Sequence, residues 1–491
     1  MNHARSRDVR ASLDHPVIDV DGHVLEYLPA ALPYIRESLG PDLFDRYVSE
    51  GSPLGAIVGG ASWEDRLQGR IPQSAWWGTP AGNTLDLATA ALPKLLHERL
   101  DEFGIDFSVL FPTKAMGMPG IADGDMRAGV CHGYNEFLAH TYGPYRDRIA
   151  VAGLIPMHTP DEAVAEIEHC KQLGFTTVGL PEGVLRQIPD PELGRQSPWL
   201  MPNQTHWFDM FGLDSAYDYD PVWRSLVDNG FVANVHGGLG NMVPHTFTSI
   251  SSYVYNHIGF FGERMARMCK SLFLGGVTRR HPDLNVAFLE CGVGWASTLL
   301  ADIVEHWEKR NLDALRANLD PATVDWHEFD ALVREYGDGL FPSEATSDAI
   351  RTIPTFGVPP EQLDEFVHVG IESKEDIRDL FVEPFYFGCE ADDRTVAFAF
   401  SPANAFGARL KPVFSSDIAH WDVEDMSSVV AEAHGLVAKG LIDDRDFREF
   451  TFTNAHEMFT QANPAFFEGT AVADASRRER GVVDATIPSN P

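Results

Sequence analysis

Three short stretches place potential metal ligands where apolar runs end. In VIDVDGHVLE the two-residue period of a strand puts Asp19, Asp21 and His23 on one side, the last two where the run stops. A carboxylate and an imidazole presented together can hold a divalent cation, although a DG turn with solvated polar groups is the plainer reading. In FVANVHGG the run closes on His236, and Gly237 and Gly238 keep side chains away so that another group can approach the ring. The same histidine would serve equally as a donor to a nearby carbonyl. In KPVFSSDIAHWD two serines precede Asp417, and His420 follows three residues later. Serine hydroxyls keep such a carboxylate ionised and oriented, while capping the following turn is its commoner job. Each stretch has a bland reading alone, but three such stretches at the carboxyl ends of three separate strands occupy the face on which barrel active sites are assembled.

The elements that must position these residues are short β-branched or aromatic runs at 17–20, 107–111, 149–155, 177–180, 231–235, 286–289, 384–389 and 412–415. Near-continuous apolar character over so few residues suits strands buried on both faces, as parallel strands are. Helix signals lie between them. In HTPDEAVAEIEHCKQLGF, Thr159 caps, Pro160 takes the first helical position, Glu162 completes a capping box and Gly174 stops the helix. Strand, turn, helix and next strand make a βα unit, and the alternation predicts an α/β fold with a parallel sheet. Excess length falls at about 33–84, 181–220 and 311–379, read as insertions with helix of their own, lids or subunit contacts. Residues 1–16 are read as an N-terminal arm, 17–469 as one barrel and 470–491 as a mobile tail.

The chain of 491 residues carries 72 acidic and 38 basic side chains, a net charge of −34, which repels phosphate backbones and anionic headgroups. No nucleic-acid or membrane partner is expected. The five cysteines are odd in number and scattered, without a CxxC pair, which argues against a disulfide framework or a zinc-thiolate site and fits a reducing cytoplasm. The N-terminus lacks a secretory apolar run, and no stretch of 18 apolar residues exists.

VIDVDGHVLE, GFVANVHGG, LFLGGVTRRHPDLNVAFLECGVGW, FSSDIAHWD and TNAHEMF, in that order and at these separations, resemble the aminocarboxymuconate-semialdehyde decarboxylase-like branch, amidohydrolase family 2, of the amidohydrolase superfamily over residues 17–459. The resemblance implies a distorted (β/α)8 TIM barrel with helical and loop insertions, and a divalent metal held by an HxH-like pair on strand 1, a His on strand 5 and an Asp on strand 8. By position these are Asp21 and His23, His236, and Asp417. The sequence departs twice, with Asp21 in place of a His and with Glu290, in FLECGVGW, where a catalytic His often stands. Both add hard oxygen donors, so zinc, iron and manganese all suit the set. If Glu290 and one of His245 or His257 also point inward, there are ligands for two ions, a solvent-exposed His257 being the plainer reading.

The implied activity is hydrolysis or decarboxylation of a small carboxylate, with Asp417 taking a water proton or completing the coordination and His420 anchoring substrate or shuttling protons. Asp21 and Glu290 keep open a dinuclear iron or iron–manganese monooxygenase, and the barrel could instead be the structural subunit of a hetero-complex. A homo-oligomer, or a hetero-oligomer with a related chain, is expected. Lys114, His158 and Cys291 are read as a surface lysine, a structural histidine and a small core residue, and Trp76, Trp77 and Trp207 as packing.

Overall fold

The eight apolar runs form eight parallel strands: β1 Ile18–Val24, β2 Phe107–Pro112, β3 Ile149–Val151 continued by Gly153–Leu154, β4 Val178–Pro181, β5 Ala233–His236, β6 Val286–Phe288, β7 Phe385–Cys389 and β8 Lys411–Phe414. The computed structural model describes residues 5–50, 61–73, 75, 83–198, 200–239, 249–337, 360–420 and 423–486. Each strand pairs in parallel with the next from β1 to β8. The ring closes just beyond β8, where Asp417 N donates to Asp21 O at 2.9 Å and His23 N to Ile418 O at 2.8 Å. With helices such as α1 Gly124–Tyr142, α2 Pro160–Gln172 and α3 Phe260–Leu274 returning the chain between strands, this is the α/β alternation that the strand pattern predicts and the TIM barrel that the resemblance implies.

Alternation along the strands divides the core in two. Ile18, Val20, Val109, Ala287 and Val413 fill the barrel interior and meet Phe459 and Phe466 at its floor. Val178, Leu180, Ala233 and Val235 face outward into the layer beneath the helices. The Thr159 capping box is present in full, with Pro160 opening α2 and Ala163, Ile167 and Cys170 buried beneath it.

Within the three insertions, residues 33–84 contribute most of a helix at Leu28–Glu50 and all of one at Trp63–Gly69. Residues 181–220 contain an antiparallel hairpin, Val184–Gln187 against His206–Asp209, and 311–379 carry short helices including Trp326–Tyr336. Trp207 sits half-buried in that hairpin, whereas Trp76, Trp77 and His245 fall outside the described residues. The N-terminal arm is helical over Ser6–Ser12 and packs through Val9.

Within the tail, expected to be mobile, residues Ala473–Thr486 include a helix. It lacks a readable apolar period because polar contacts seat it: His456 Nε2 meets Ser476 Oγ at 2.9 Å and Arg448 pairs with Glu479 at 2.6 Å, beside buried Val472. All five cysteines are free. Among the described residues no helix is long and apolar enough to cross a membrane.

His158, after β3, is a structural residue with a pH signature. Burial, then the nearby Arg127 and Arg186, lower its pKa from the usual 6.5 to about 3. The native ring is therefore neutral, while the unfolded chain takes up a proton below pH 6.5. Stability from this group is full above 6.5 and falls as pH drops toward 3, by up to about 1.4 kcal/mol per pH unit. His158→Gln should flatten the acid limb of a denaturant-midpoint profile between those pH values; an unchanged slope would show that the ring does not titrate this way.

Candidate metal centre

β1 delivers its ligands through an irregularity. Its register against β2 shifts between Asp19 and Gly22, where Asp21 lies, so that Asp21 and His23 both reach the mouth. Asp19 stays below them as a support: its carboxylate accepts from Ser108 Oγ at 2.6 Å and Ser416 N at 2.8 Å, tying β1 to its neighbours. Burial raises the Asp19 pKa to about 6. Gly22 is needed at this crossing, because a Cβ there would lie 2.9 Å from Asp19, Ile418 and Leu110.

His236 is the last residue of β5, and Glu290 follows β6 with φ of 53°. Asp417 follows β8 with the same φ of 53°, and Ala419 has φ of 74°. Left-handed backbone in three non-glycine residues at strand ends is strain of the kind that collects at functional sites. Gly237 next to His236 has a packing reason as well: a Cβ there would come within 1.9 Å of the Phe261 ring.

These strand ends converge. His23 Nε2 and His236 Nε2 are 3.3 Å apart. Asp21 Oδ1 is 3.5 Å from His236 Nε2, and Asp417 Oδ1 is 3.2 Å from His23 Nε2. Glu290 reaches both histidines, at 3.6 and 3.7 Å. His420 Nδ1 lies 2.7 Å from Asp417 and 3.2 Å from Glu290, its ring stacked on His23 at 3.6 Å between centroids. The six side chains are buried.

Both Asp21 oxygens are buried without a hydrogen-bond partner. A buried carboxylate left this way is costly unless a cation meets it. Two imidazole nitrogens and a carboxylate oxygen stand 3.3, 3.5 and 3.9 Å apart, two of the three separations close to the spacing around a tetrahedral ion with bonds of about 2.0–2.1 Å. The donor set therefore fits a divalent cation.

The charge balance without one is instructive. Burial and then the charge of His420 lower His23 to a pKa of about 4. Against the same burial, Glu290 and Asp21 raise His236 to about 9. His420 is raised well above its usual value, burial being outweighed by Asp417 and Glu290, and Glu290 is held low, burial being outweighed by the histidines.

Other expected residues fall elsewhere. His257 is not among the converging ligand atoms of the barrel mouth: its Nδ1 meets the Ala75 carbonyl oxygen at 3.1 Å, in the short helix Tyr253–His257 between β5 and β6. Cys291, beside Glu290, is half-buried, and burial pushes its thiol pKa well up, which disfavours the thiolate. Lys114 is half-buried, and its backbone N donates to Glu26.

Glu26 is a support that sequence reading missed. Just past β1, it accepts from the backbone N of Thr113, Lys114 and Ala115 at 3.2, 2.8 and 3.0 Å, and from Tyr134 Oη at 2.7 Å. Four donors on one buried carboxylate fix the loop leaving β2. Glu26→Gln keeps the shape but turns an amide N–H toward those donors, so it should lower stability by about 2–3 kcal/mol in urea titrations; a loss below about 0.5 kcal/mol would refute the role. A cavity of about 430 Å³ opens onto Asp417 and is lined by Glu390, Asp392, Glu424, Asp425 and Glu432, so the approach on this side is strongly acidic.

A buried cluster of two imidazoles and three carboxylates, with a third histidine against two of them, at the mouth of an eight-stranded parallel barrel, defines a barrel protein built around a metal centre. The family profile described as Amidohydrolase matches residues 90–337, just over half of the 491 residues, and the chain belongs to that family. The matched stretch holds His236 and Glu290; barrel closure brings in the rest from outside it. Among solved structures, an amidohydrolase from Mycobacterium avium subsp. paratuberculosis is similar at 16% identity and a TM-score of 0.50, over 91% of this chain and 100% of that one. The IDCase of Metarhizium anisopliae is similar at 16% identity and a TM-score of 0.51, over 91% and 98%. These two likenesses concern the fold. No curated protein matches the sequence.

Proposed function

We propose that the protein is a metal-dependent hydrolase or decarboxylase of a small carboxylate, with Asp21, His23, His236 and Asp417 as metal ligands and Glu290 at the ligand rim. The observation that carries this is the pair of buried Asp21 oxygens without hydrogen-bond partners, facing two histidine nitrogens. When bound, a divalent ion supplies polarisation of a substrate oxygen and activation of water. The chain supplies the rest. Asp417 and Glu290 hold a proton on His420 Nδ1, the group available to give or take a proton at the reacting centre. The acid-lined cavity disfavours anions, so binding of a carboxylate depends on the ion's charge to offset the field.

The test is elemental analysis of protein purified without added metal, then assays of the zinc-, manganese- and iron-loaded forms on small aromatic and unsaturated carboxylates, following carbon dioxide release and hydrolysis. Metal bound near one equivalent with turnover dependent on it supports the reading; a metal-free protein that turns over such substrates equally well defeats it.

One observation favours a second reading. The ligand atoms fall into two groups that share His23, one with Asp21 and His236, the other with Glu290, Asp417 and His420. Two adjacent ions, iron with iron or manganese, with His23 Nε2 on one of them alone and a carboxylate bridging the pair, would suit an oxygen-dependent monooxygenase. Two equivalents of iron and substrate-dependent oxygen consumption mark this alternative, and indifference to oxygen removes it.

A further inference from the structure

A second group of metal-ligating side chains lies outside the barrel mouth, on the seam between α1 and α2. One ring nitrogen each from His132 and His169 and one oxygen of Glu166 lie within 4.8 Å of one another. His132 Nδ1 is 3.3 Å from Glu166 Oε2, and the two imidazoles stack at 3.5 Å between centroids with planes 18° apart. Nε2 of His169 is buried and has no hydrogen-bond partner.

The carboxylate is held in place by the barrel itself. Asn135 Nδ2 donates to Glu166 Oε1 at 2.7 Å, and Asn135 also bonds both backbone groups of Leu154 in β3, at 3.0 and 2.8 Å. One oxygen of Glu166 is thereby occupied and the other presented to His132, with His169 stacked beside it. Two neighbouring histidines on a surface are ordinary; a fixed, buried carboxylate and a buried nitrogen without a partner beside them are not.

We propose that His132, Glu166 and His169 form a zinc site that clamps α1 to α2, with the fourth position open to water. Two imidazoles and a carboxylate are a borderline donor set that favours zinc over magnesium or calcium. Tetrahedral ligand atoms stand about 3.3 Å apart. His132 Nδ1 already stands at that distance from Glu166, and its side chain, 41% exposed, leaves this end of the site open to water.

The experiment uses the full chain with its barrel-mouth metal loaded, dialysed against zinc chloride and analysed for bound metal. Wild type should hold one more zinc per chain than His132→Asn or Glu166→Gln, and a zinc-dependent rise in Tm should be lost in both variants. The first change is at a half-exposed side chain and the second keeps an acceptor for Asn135, so both should fold, as far-UV circular dichroism checks. Equal zinc content in wild type and both folded variants overturns the proposal. A His236→Ala protein should keep this equivalent, which separates failure here from failure of the barrel-mouth centre.

Discussion

His236→Ala should empty the metal centre and abolish turnover while leaving a folded barrel. The imidazole stands 3.3 Å from His23 Nε2 and 3.5 Å from Asp21, while His420, the third histidine of the cluster, turns its Nδ1 toward Asp417 and Glu290. Losing a partner outside the ligand set already costs about 10–100-fold in metal affinity, and removing a ligand costs more. The fold should lose only about 1–3 kcal/mol, because the hole is lined by carboxylates and water can fill it. β5 keeps its outward Ala233 and Val235 and its pairing on both sides. Metal content, turnover of a small carboxylate and a thermal melt on one preparation decide the matter. A variant that retains its metal and full activity removes the centre as assigned.

Much of this was open to sequence reading, for an identifiable reason. Parallel barrel strands are covered on both faces, so they read as short apolar runs, and all eight recur in the structure within a few residues. The convergence of polar side chains at their ends was legible because a charged residue closing such a run has few places to go but the mouth. What was not legible depends on contacts across the ring. The hydrogen bonds from Asp417 N to Asp21 O and from His23 N to Ile418 O close the barrel between segments almost the whole chain apart. The left-handed turns at Asp417 and Ala419 that swing His420 against Glu290 leave no mark in FSSDIAHWD beyond spacing. Glu26 looked like any charged residue after a strand, since its donors come from a loop some ninety residues on and from Tyr134 on α1. His257 failed for the opposite reason: YNHIGF has the residue type but closes no barrel strand. The C-terminal helix is held by Ser476 and Glu479, polar contacts that no apolar period announces.

His420→Gln should separate proton transfer from metal binding. In the structure Nδ1 faces Asp417 and Glu290 at 2.7 and 3.2 Å, while the Nε2 atoms of His23 and His236 face each other and Asp21, that of His23 also lying 3.2 Å from Asp417. A metal held by Asp21, His23, His236 and Asp417 therefore does not need this ring, and glutamine can still donate an N–H to the same carboxylates. What glutamine cannot do is carry a proton to or from a reacting atom. The loss of a positioned acid or base is worth about 10²–10⁴-fold in rate. The expected result is a kcat lower by that factor, with KM and metal content close to wild type. A variant whose metal is lost would make His420 a ligand, and one whose kcat stays within about threefold, well short of that range, would move the proton-carrying role to Glu290 or Asp417. The contrast with His236→Ala is the stronger evidence, because two buried imidazoles of one cluster would then fail in different ways: one by releasing the ion, the other by holding it without chemistry.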